Sequence, residues 1–292
     1  MAHTHDGIDW PSRLGPMRRN DAIEAEVNSW VADRLVDSLA DGATVVDVGS
    51  GSGGMSAAFA TALSVRGGGR LVLVDAVPEV LAAARSAVAE VVGDKIDVVP
   101  VLADAADPGL ADLVPAADLV WASRVVHHLP DERRGVEALV RMLAPGGWLA
   151  LAEGGLSTRC LPWDVGVGEP GLQDRLAAAQ TAWFARMRAG IEGVVRMPYG
   201  WNRALADAGL ADVGSFSYLL DLPAPAPRPV RDSVADWLGW MAHVGEDVLS
   251  ASDLDALRRL RDPDGADYVA RRDDVFLLSA TTVHQGRRSV AA

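Results

Sequence analysis

The feature that most constrains the fold of this chain is an apolar run that leads directly into a glycine-rich turn, Val45–Gly54. Helix-favouring residues follow at once, from Met55 to Ala60. Glycine lets a backbone approach a ligand closely, and the N-terminus of a helix presents N–H donors beside it. The segment therefore predicts a strand, a turn and a helix that together form a nucleotide-binding corner.

These glycines fit two kinds of nucleotide. Gly49, Gly51 and Gly54 satisfy the fingerprint of dinucleotide-binding proteins. A second pattern uses Gly53 instead of Gly54 and adds Asp47, two positions before the first glycine. A carboxylate at that position suits a positively charged ligand better than a pyrophosphate. The choice between the two patterns depends on the residues that follow.

The next two apolar runs each end near an aspartate. Leu71–Asp75 is typical of a strand buried on both faces, and Asp75 is the expected ligand of the ribose hydroxyls. Its alternative role is to cap a helix that begins near Pro78. The third strand, Ile96–Leu102, leads to Asp104, which either contacts the ligand or belongs to an ordinary turn.

Two further motifs follow in order. The fourth strand, Asp118–Ala122, leads into Ser123 and then into the pair His127 and His128. A proline-glycine-glycine turn precedes the fifth strand, which ends at Glu153. With these five motifs, which cover roughly residues 40 to 153, the chain resembles the class I S-adenosylmethionine-dependent methyltransferases, in particular the branch that acts on small molecules and natural products.

The resemblance implies a fold and a set of donor-binding residues. The implied fold is α/β and Rossmann-like, with a seven-stranded, mostly parallel sheet, helices on both faces, and helical insertions after strands 5 and 6 that form an acceptor lid. Asp104 would accept a hydrogen bond from the adenine amino group. The residues expected to bind S-adenosylmethionine are Asp47, Gly49, Ser50, Gly51, Asp75, Ala76, Asp104, Ala105 and Ser123.

We expect six segments along the chain. The last strand is predicted over Asp274–Val283, with a frayed tail from Gly286 onward, and the first helix over Asp21–Leu39. The expected segments are an N-terminal arm and helix (1–40), the donor-binding core (41–153), a first insertion forming part of the substrate lid (154–200), a core helix and strand 6 (201–221), a second helical insertion forming the rest of that lid (222–272), and strand 7 with the tail (273–292).

Candidate catalytic residues lie at the carboxyl ends of the fourth and fifth strands. A sulfonium already makes its methyl group electrophilic, so a base is needed only when the acceptor must lose a proton. His127, His128 and Glu153 are the candidates, and each of them has an alternative structural role. Residues expected to contact the acceptor are Trp10, which could belong to an N-terminal lid, and Met197, Tyr199 and Trp201.

Composition narrows the function classes. The 292 residues carry a formal net charge of −13, which disfavours nucleic acid and anionic membranes as partners. The one cysteine, Cys160, excludes an internal disulfide and a cysteine-based zinc site, and we expect no metal. Without a signal-peptide pattern at its start, the chain is expected to be cytoplasmic.

The predicted function is methyl transfer from S-adenosylmethionine to a small acceptor, expected to be an aromatic or heterocyclic metabolite of specialised metabolism. The methyl would go to N, O or C by in-line displacement, with a histidine as general base. Two alternatives stay open: an NAD(P)-dependent oxidoreductase, and a non-catalytic scaffold that keeps the fold. The sequence also leaves open a homodimer.

Overall fold

The computed structural model describes residues 9–93 and 95–290. The chain divides into two compact units, which are described separately below. The first comprises residues 1–154, 191–218 and 281–292, and the second comprises residues 155–190 and 219–280.

The strands of the described residues form a single seven-stranded sheet. The strands are β1 (Thr44–Val48), β2 (Gly69–Asp75), β3 (Ile96–Leu102), β4 (Ala117–Ser123), β5 (Leu143–Arg159), β6 (Ala211–Leu222) and β7 (Leu277–Arg287). Their order is β3-β2-β1-β4-β5-β7-β6, and the β2–β3, β1–β2, β1–β4 and β4–β5 pairs are parallel. The strand order reverses between β1 and β4, and in such sheets ligands bind outside the carboxyl ends of the strands at that reversal.

The described residues form nine α-helices, and those of the first unit cover both faces of the sheet. The nine helices are α1 (Trp10–Val36), α2 (Gly54–Val65), α3 (Pro78–Val91), α4 (Leu110–Leu113), α5 (Glu132–Arg141), α6 (Leu172–Ala189), α7 (Trp201–Asp207), α8 (Arg228–Val244) and α9 (Ala251–Arg261). One buried cluster joins the sheet to α1, α2 and α3, and a second joins its other side to α4, α5 and α7. Because β1, β2 and β4 lie between these clusters, their buried side chains are apolar on both faces, apart from Asp47 of β1. The predicted Rossmann-like fold is confirmed.

The first helix begins earlier than the sequence predicts. Trp10 was expected in an arm ahead of a helix starting at Asp21, but it is the first residue of α1. Asp9 caps this helix by accepting the Ser12 N–H, and Pro11 stands in its first turn, where proline is tolerated. Ile8, which belongs to the same predicted arm, lies outside the described residues.

The last strand extends beyond its predicted end at Val283. Gly286 and Arg287, expected in a frayed tail, belong to β7. The Gly146 N–H donates to the Arg288 carbonyl at 2.9 Å, and the Arg288 N–H donates to the Gly147 carbonyl at 2.8 Å. These bonds tie the tail to the start of β5, whereas His284 of β7 contacts Glu153 further along β5, so the two strands run in opposite directions.

The second unit has its own buried core. This core contains residues of α6, α8 and α9, with Cys160 and Leu161 from the segment after β5. Arg175 of α6 forms an ion pair at 2.8 Å with the buried Asp253 of α9. Trp183 and Trp240 pack edge to face, as expected for core tryptophans.

Candidate active site

The glycine loop after β1 is held by hydrogen bonds within the chain. The N–H groups of Gly49 and Ser50 both donate to the Val74 carbonyl, at 2.8 and 3.0 Å. Gly49 has a φ of +72°, and a Cβ there would lie 2.3 Å from the Val125 side chain. A Cβ on Gly51, by contrast, would meet only ordinary contacts, the nearest of them Met17 at 3.6 Å. The first glycine is therefore required by close packing.

Asp75, at the end of β2, is bound to the same loop. One of its carboxylate oxygens accepts the Gly51 N–H at 3.0 Å, and the other accepts the Val77 N–H at 3.0 Å. The position fits the predicted ribose ligand, because each oxygen of a carboxylate has a second lone pair for a hydroxyl donor. The same contacts also give Asp75 a structural role in holding the loop to the start of α3.

The N-terminus of α2 is capped by a residue that the sequence analysis missed. Asp21 of α1 accepts hydrogen bonds from the Ser52 hydroxyl, at 2.5 Å, and from the Gly54 backbone. Burial raises the pKa of Asp21 above its usual value, and these hydrogen bonds oppose the increase. A carboxylate of the chain itself thus stands where the dinucleotide-binding pattern would place a phosphate.

Asp47 lies beneath the glycine loop and is 2% exposed. Its carboxyl group accepts the Ser56 hydroxyl at 2.5 Å. Burial raises the pKa of Asp47 to about 7, the charges of Asp75 and Asp21 add to the increase, and the Ser56 hydrogen bond opposes it. The Asp47 side chain is thus enclosed by the protein.

A fourth acidic side chain, Glu24 of α1, completes this group. Burial raises the pKa of Glu24, the charge of Asp21 adds to the increase, and Arg124, 4.0 Å away, opposes it. We call Asp21, Glu24, Asp47 and Asp75 the acidic group. Arg18 and Arg124 offset part of its charge, but all four carboxylates border the glycine loop or contact one another electrostatically.

The remaining predicted donor ligands lie at the same edge of the sheet. Asp104 follows β3 and accepts the Ala106 N–H at 2.8 Å, so it forms a turn of its own, as the alternative interpretation expected. Ala105 and Ala76 are partly buried beside Asp104 and Asp75, and Ser123 ends β4. The Ser50 hydroxyl is buried and has no hydrogen-bond partner within residues 9–93 and 95–290, which suits a polar ligand.

His127, in the turn after β4, and Glu153, within β5, form a hydrogen-bonded pair. The prediction that the fifth strand ends at Glu153 is wrong, because β5 continues to Arg159. The His127 Nδ1 lies 2.7 Å from the Glu153 Oε2, and the Val126 N–H donates to the Glu153 Oε1 at 3.0 Å. Glu153 is 3% exposed, so it is better suited to position His127 than to act as a base on a substrate. The His128 ring packs on that of His127 with centroids 4.2 Å apart.

His284 of β7 was not predicted as a site residue, but it braces this pair. Its Nε2 donates to the Glu153 carbonyl at 3.2 Å, and its Nδ1 lies 2.8 Å from the Oδ1 of the Asn202 side chain. Burial lowers the pKa of His284, and the contacts with Glu153 oppose the decrease.

The predicted acceptor-contacting residues occupy two places. Met197, Tyr199 and Trp201 are partly buried and pack against the cluster that contains α5 and Val126. Tyr199 also hydrogen-bonds to Arg133 of α5. Trp10, at the first position of α1, is partly buried.

The two site residues that the sequence did not predict, Asp21 and His284, both lie far along the chain from the residues that they contact. Asp21 and Ser52 are 31 residues apart, and His284 and Glu153 are 131 residues apart. Neither contact produces a recognisable motif within a short stretch of sequence. A prediction that the last strand pairs with the fifth could have indicated that His284 lies near Glu153, because it places the two strands side by side.

The doubly wound fold, the glycine loop and the acidic group define an α/β nucleotide-binding core. Residues 46–149 match a family model described as a methyltransferase domain. Over these residues the core is therefore similar to a methyltransferase domain.

A curated relative and solved structures share this similarity. The chain is 29% identical over 198 residues to an arsenite methyltransferase of Halobacterium salinarum, a match that covers 67% of this chain and 49% of the relative. The chain thus spans about half the length of this relative.

Among solved structures, YcgJ of Bacillus subtilis is 16% identical with a TM-score of 0.48, covering 91% of this chain and 100% of that one. A phosphoethanolamine N-methyltransferase 2 of Haemonchus contortus, solved with S-adenosyl-L-methionine, is 15% identical with a TM-score of 0.47, covering 90% and 52%. Neither likeness says what this chain binds. No helix of the described residues is long and apolar enough to cross a membrane.

Proposed function

We propose that this protein transfers the methyl group of S-adenosylmethionine to a small-molecule acceptor. The observation that carries the proposal is the acidic group around the glycine loop. S-adenosylmethionine presents an ammonium and a sulfonium, and negative side chains in a partly buried site favour such charges. The family match of residues 46–149 supports the same donor.

A dinucleotide fits this loop poorly. A pyrophosphate needs free backbone N–H donors at the loop and at the helix N-terminus. Here the N–H groups of Gly49 and Ser50 are bound to Val74, that of Gly51 to Asp75, and that of Gly54 to Asp21. Two of these partners are carboxylates, which would repel a phosphate. These contacts disfavour the oxidoreductase alternative.

The donor residues are assigned by position. Asp75 would hold the ribose hydroxyls, and Asp104 with the Ala105 N–H would hold the adenine ring. Asp47 would stabilise the positive charge from beneath the loop, while Ser50 offers a buried hydroxyl. When bound, S-adenosylmethionine supplies an activated methyl group, and the chain's residues must orient the acceptor and exclude water.

We propose His127 as the general base and Glu153 as the group that positions it. Because a carboxylate accepts hydrogen bonds, Glu153 keeps the proton on Nδ1 and leaves Nε2 as the accepting atom of the ring. His127 would then take the proton that the acceptor's nucleophilic atom must lose. His128, whose ring lies tilted against that of His127, would contact the acceptor or hold the His127 ring in place.

The acceptor class is proposed as a small aromatic or heterocyclic metabolite, contacted by Trp10, Met197, Tyr199 and Trp201. Arsenite, the acceptor in the relative's name, is a poor fit. Soft ions of this type are held by thiolates. The one cysteine, Cys160, is 1% exposed, and burial raises the pKa of its thiol to about 12, so it offers no thiolate at neutral pH.

Calorimetry with S-adenosylhomocysteine and with NADH tests the donor. Saturable binding of S-adenosylhomocysteine is expected, with no binding of NADH. Binding of NADH alone would sink the proposal in favour of an oxidoreductase, and binding of neither would favour a scaffold. Acceptors are then sought by incubating aromatic amines, phenols and heterocycles with S-adenosylmethionine and following the added methyl group by mass spectrometry.

A further inference from the structure

The second unit contains a cavity lined by arginines, far in sequence from the glycine loop. Its volume is about 560 Å³. This lies within the range of small-molecule sites, roughly 300–1,000 Å³. The lining residues, which we call the arginine cavity, are Arg228, Arg231, Pro263, Tyr268, Ala270 and Arg271.

The guanidinium groups of this cavity are held by backbone carbonyls more than by carboxylates. Arg231 donates to the Arg272 carbonyl at 3.0 Å. Arg271 donates to the carbonyls of Gly265 and Pro263 and stacks on Tyr268, with its guanidinium 5.6 Å from the ring centre. These contacts fix the positions of the two arginines but leave their charges uncompensated.

Carboxylates compensate little of this charge. Asp232 lies 3.6 Å from Arg228 on the same helix, and neither Arg231 nor Arg271 forms an ion pair within the described ranges. The Nε of Arg231 is buried and has no hydrogen-bond partner among those same residues. A buried charged donor without a partner is costly, so this atom suits an acceptor from outside the chain.

The local helix adds to the positive potential. Arg228 and Arg231 stand in the first turns of α8, which has no acidic residue in its first turn. Positive side chains at a helix N-terminus oppose the helix dipole, and an anion there relieves both charges. The arrangement is notable in a chain whose net charge is −13, because the rest of the molecule repels anions.

We propose that the arginine cavity binds a small anionic ligand through a phosphate or carboxylate group. Arg231 and Arg271 hold the anion, since planar guanidinium groups match both oxyanions in a bidentate manner, and Arg228 adds charge at the rim. Tyr268 supplies a ring and a hydroxyl beside it. This site does not depend on methyl transfer or on the donor loop.

The test is calorimetry on the full chain at low ionic strength, with inorganic pyrophosphate and citrate as the two probes. Saturable binding of either one is expected, with a dissociation constant of about 1 mM or below. Binding of pyrophosphate alone would indicate a phosphate ligand, and binding of citrate alone would indicate a carboxylate ligand. Binding of both would indicate a site that accepts either kind of oxyanion. No saturable binding of either probe would overturn the proposal.

Variants separate this site from general charge attraction. Arg231→Gln and Arg271→Gln should each weaken binding by about tenfold or more, the usual loss for a hydrogen bond to a charged group. Arg258→Gln is the matched control, because Arg258 is an exposed arginine of the same unit that pairs with Asp255. Equal affinity in all three variants would refute the site. Arg271 is exposed, so its variant keeps the test decisive if Arg231→Gln does not fold.

Discussion

The Nδ1 of His127 lies 2.7 Å from the Oε2 of Glu153, and the second carboxylate oxygen of Glu153 accepts the Val126 N–H. Val126 and His127 are neighbours in the same short 3-10 turn, Val126–His128. One buried carboxylate therefore fixes both the backbone of this turn and the ring that it carries. Such a pair gives a histidine a defined tautomer and orientation.

The first prediction concerns turnover. Glu153→Gln should lower kcat by about 100-fold or more, since general bases contribute on the order of 10²–10⁴. The affinity for S-adenosylhomocysteine should stay unchanged, because the substitution removes the positioning of His127 and not a donor contact. Steady-state kinetics with the identified acceptor and calorimetry with the donor product measure the two effects.

A double-variant cycle distinguishes this role from general damage to the fold. His127→Ala and Glu153→Gln act through one base, so the double variant should be little slower than His127→Ala alone. Losses that multiply in the double variant would argue against a shared role. His243→Ala is the control, because His243 is exposed on α8 in the second unit.

The second prediction concerns donor affinity. Asp75→Ala should weaken the binding of S-adenosylhomocysteine by about 1–3 kcal/mol, or roughly ten- to a hundredfold. The loss combines the ribose hydrogen bonds with the freed N–H groups of Gly51 and Val77, which Asp75 now holds. Calorimetry gives the dissociation constant.

Asp97→Ala serves as the comparison for Asp75→Ala. Asp97 is an exposed carboxylate on the adjacent strand, paired with Arg70 at 2.7 Å. This surface pair should contribute little to donor binding or to stability. Unchanged affinity in Asp75→Ala would remove this residue from the donor site, whereas an equal loss in both variants would point to a non-specific charge effect.

The third prediction concerns pH. Because burial raises the pKa of Asp47 to about 7, the folded protein binds a proton that the unfolded chain, with an ordinary value of 3.8, has lost. The contribution of this proton to the free energy of unfolding is fully present below the unfolded-state pKa of 3.8. It is lost as the pH rises through the folded-state pKa of about 7.

Asp47→Asn should remove that loss. The amide keeps an acceptor for the Ser56 hydroxyl and carries no charge, so the variant should be more stable than the parent at pH 8, by up to about 4 kcal/mol. The difference should shrink toward pH 5. Urea unfolding at several pH values measures it, and a difference that does not vary with pH would contradict the assignment. Donor affinity should fall in the same variant, because one negative charge of the acidic group is gone.

Much of the fold was predictable because its signals are local. The run of apolar residues into Gly49 predicts a strand and turn, and Asp75 is found by its place at the end of the next strand. The third strand is predicted over Ile96–Leu102, and β3 has those bounds. In these cases hydrophobic pattern and turn residues lie within one short segment, so no tertiary information is needed.

Other features could not be read from the sequence because they depend on tertiary contacts. A Gly15–Pro16 pair favours a break, yet α1 continues through it and brings Asp21 to the N-terminus of α2. The sequence therefore indicated free N–H donors at the glycine loop, whereas the Val74 carbonyl and the carboxylates of Asp75 and Asp21 accept their hydrogen bonds. Likewise, Glu153 reads as a candidate base in the sequence, and its burial becomes visible only once β4 and β5 pair.

The fourth prediction uses two glycines that share a backbone conformation but differ in their surroundings. Gly53 has a φ of +98°, and a Cβ there would lie 2.6 Å from the Ala84 backbone of α3. Gly42 has a φ of +74°, and a Cβ there would have nothing within 4 Å among the described residues. Alanine at either position must adopt the left-handed conformation, which lowers the free energy of unfolding by about 1–2 kcal/mol.

Gly53→Ala should destabilise the protein by about 1–3 kcal/mol more than Gly42→Ala, the usual cost of forcing extra volume into a packed site. The urea midpoints of the two variants measure this difference directly. Gly53→Ala should also weaken donor binding, because the glycine loop must move away from α3 to relieve the clash, and this movement displaces Gly51 from Asp75. Equal midpoints would mean that α3 yields to the new side chain, and that the third glycine of the loop is needed only for its backbone conformation.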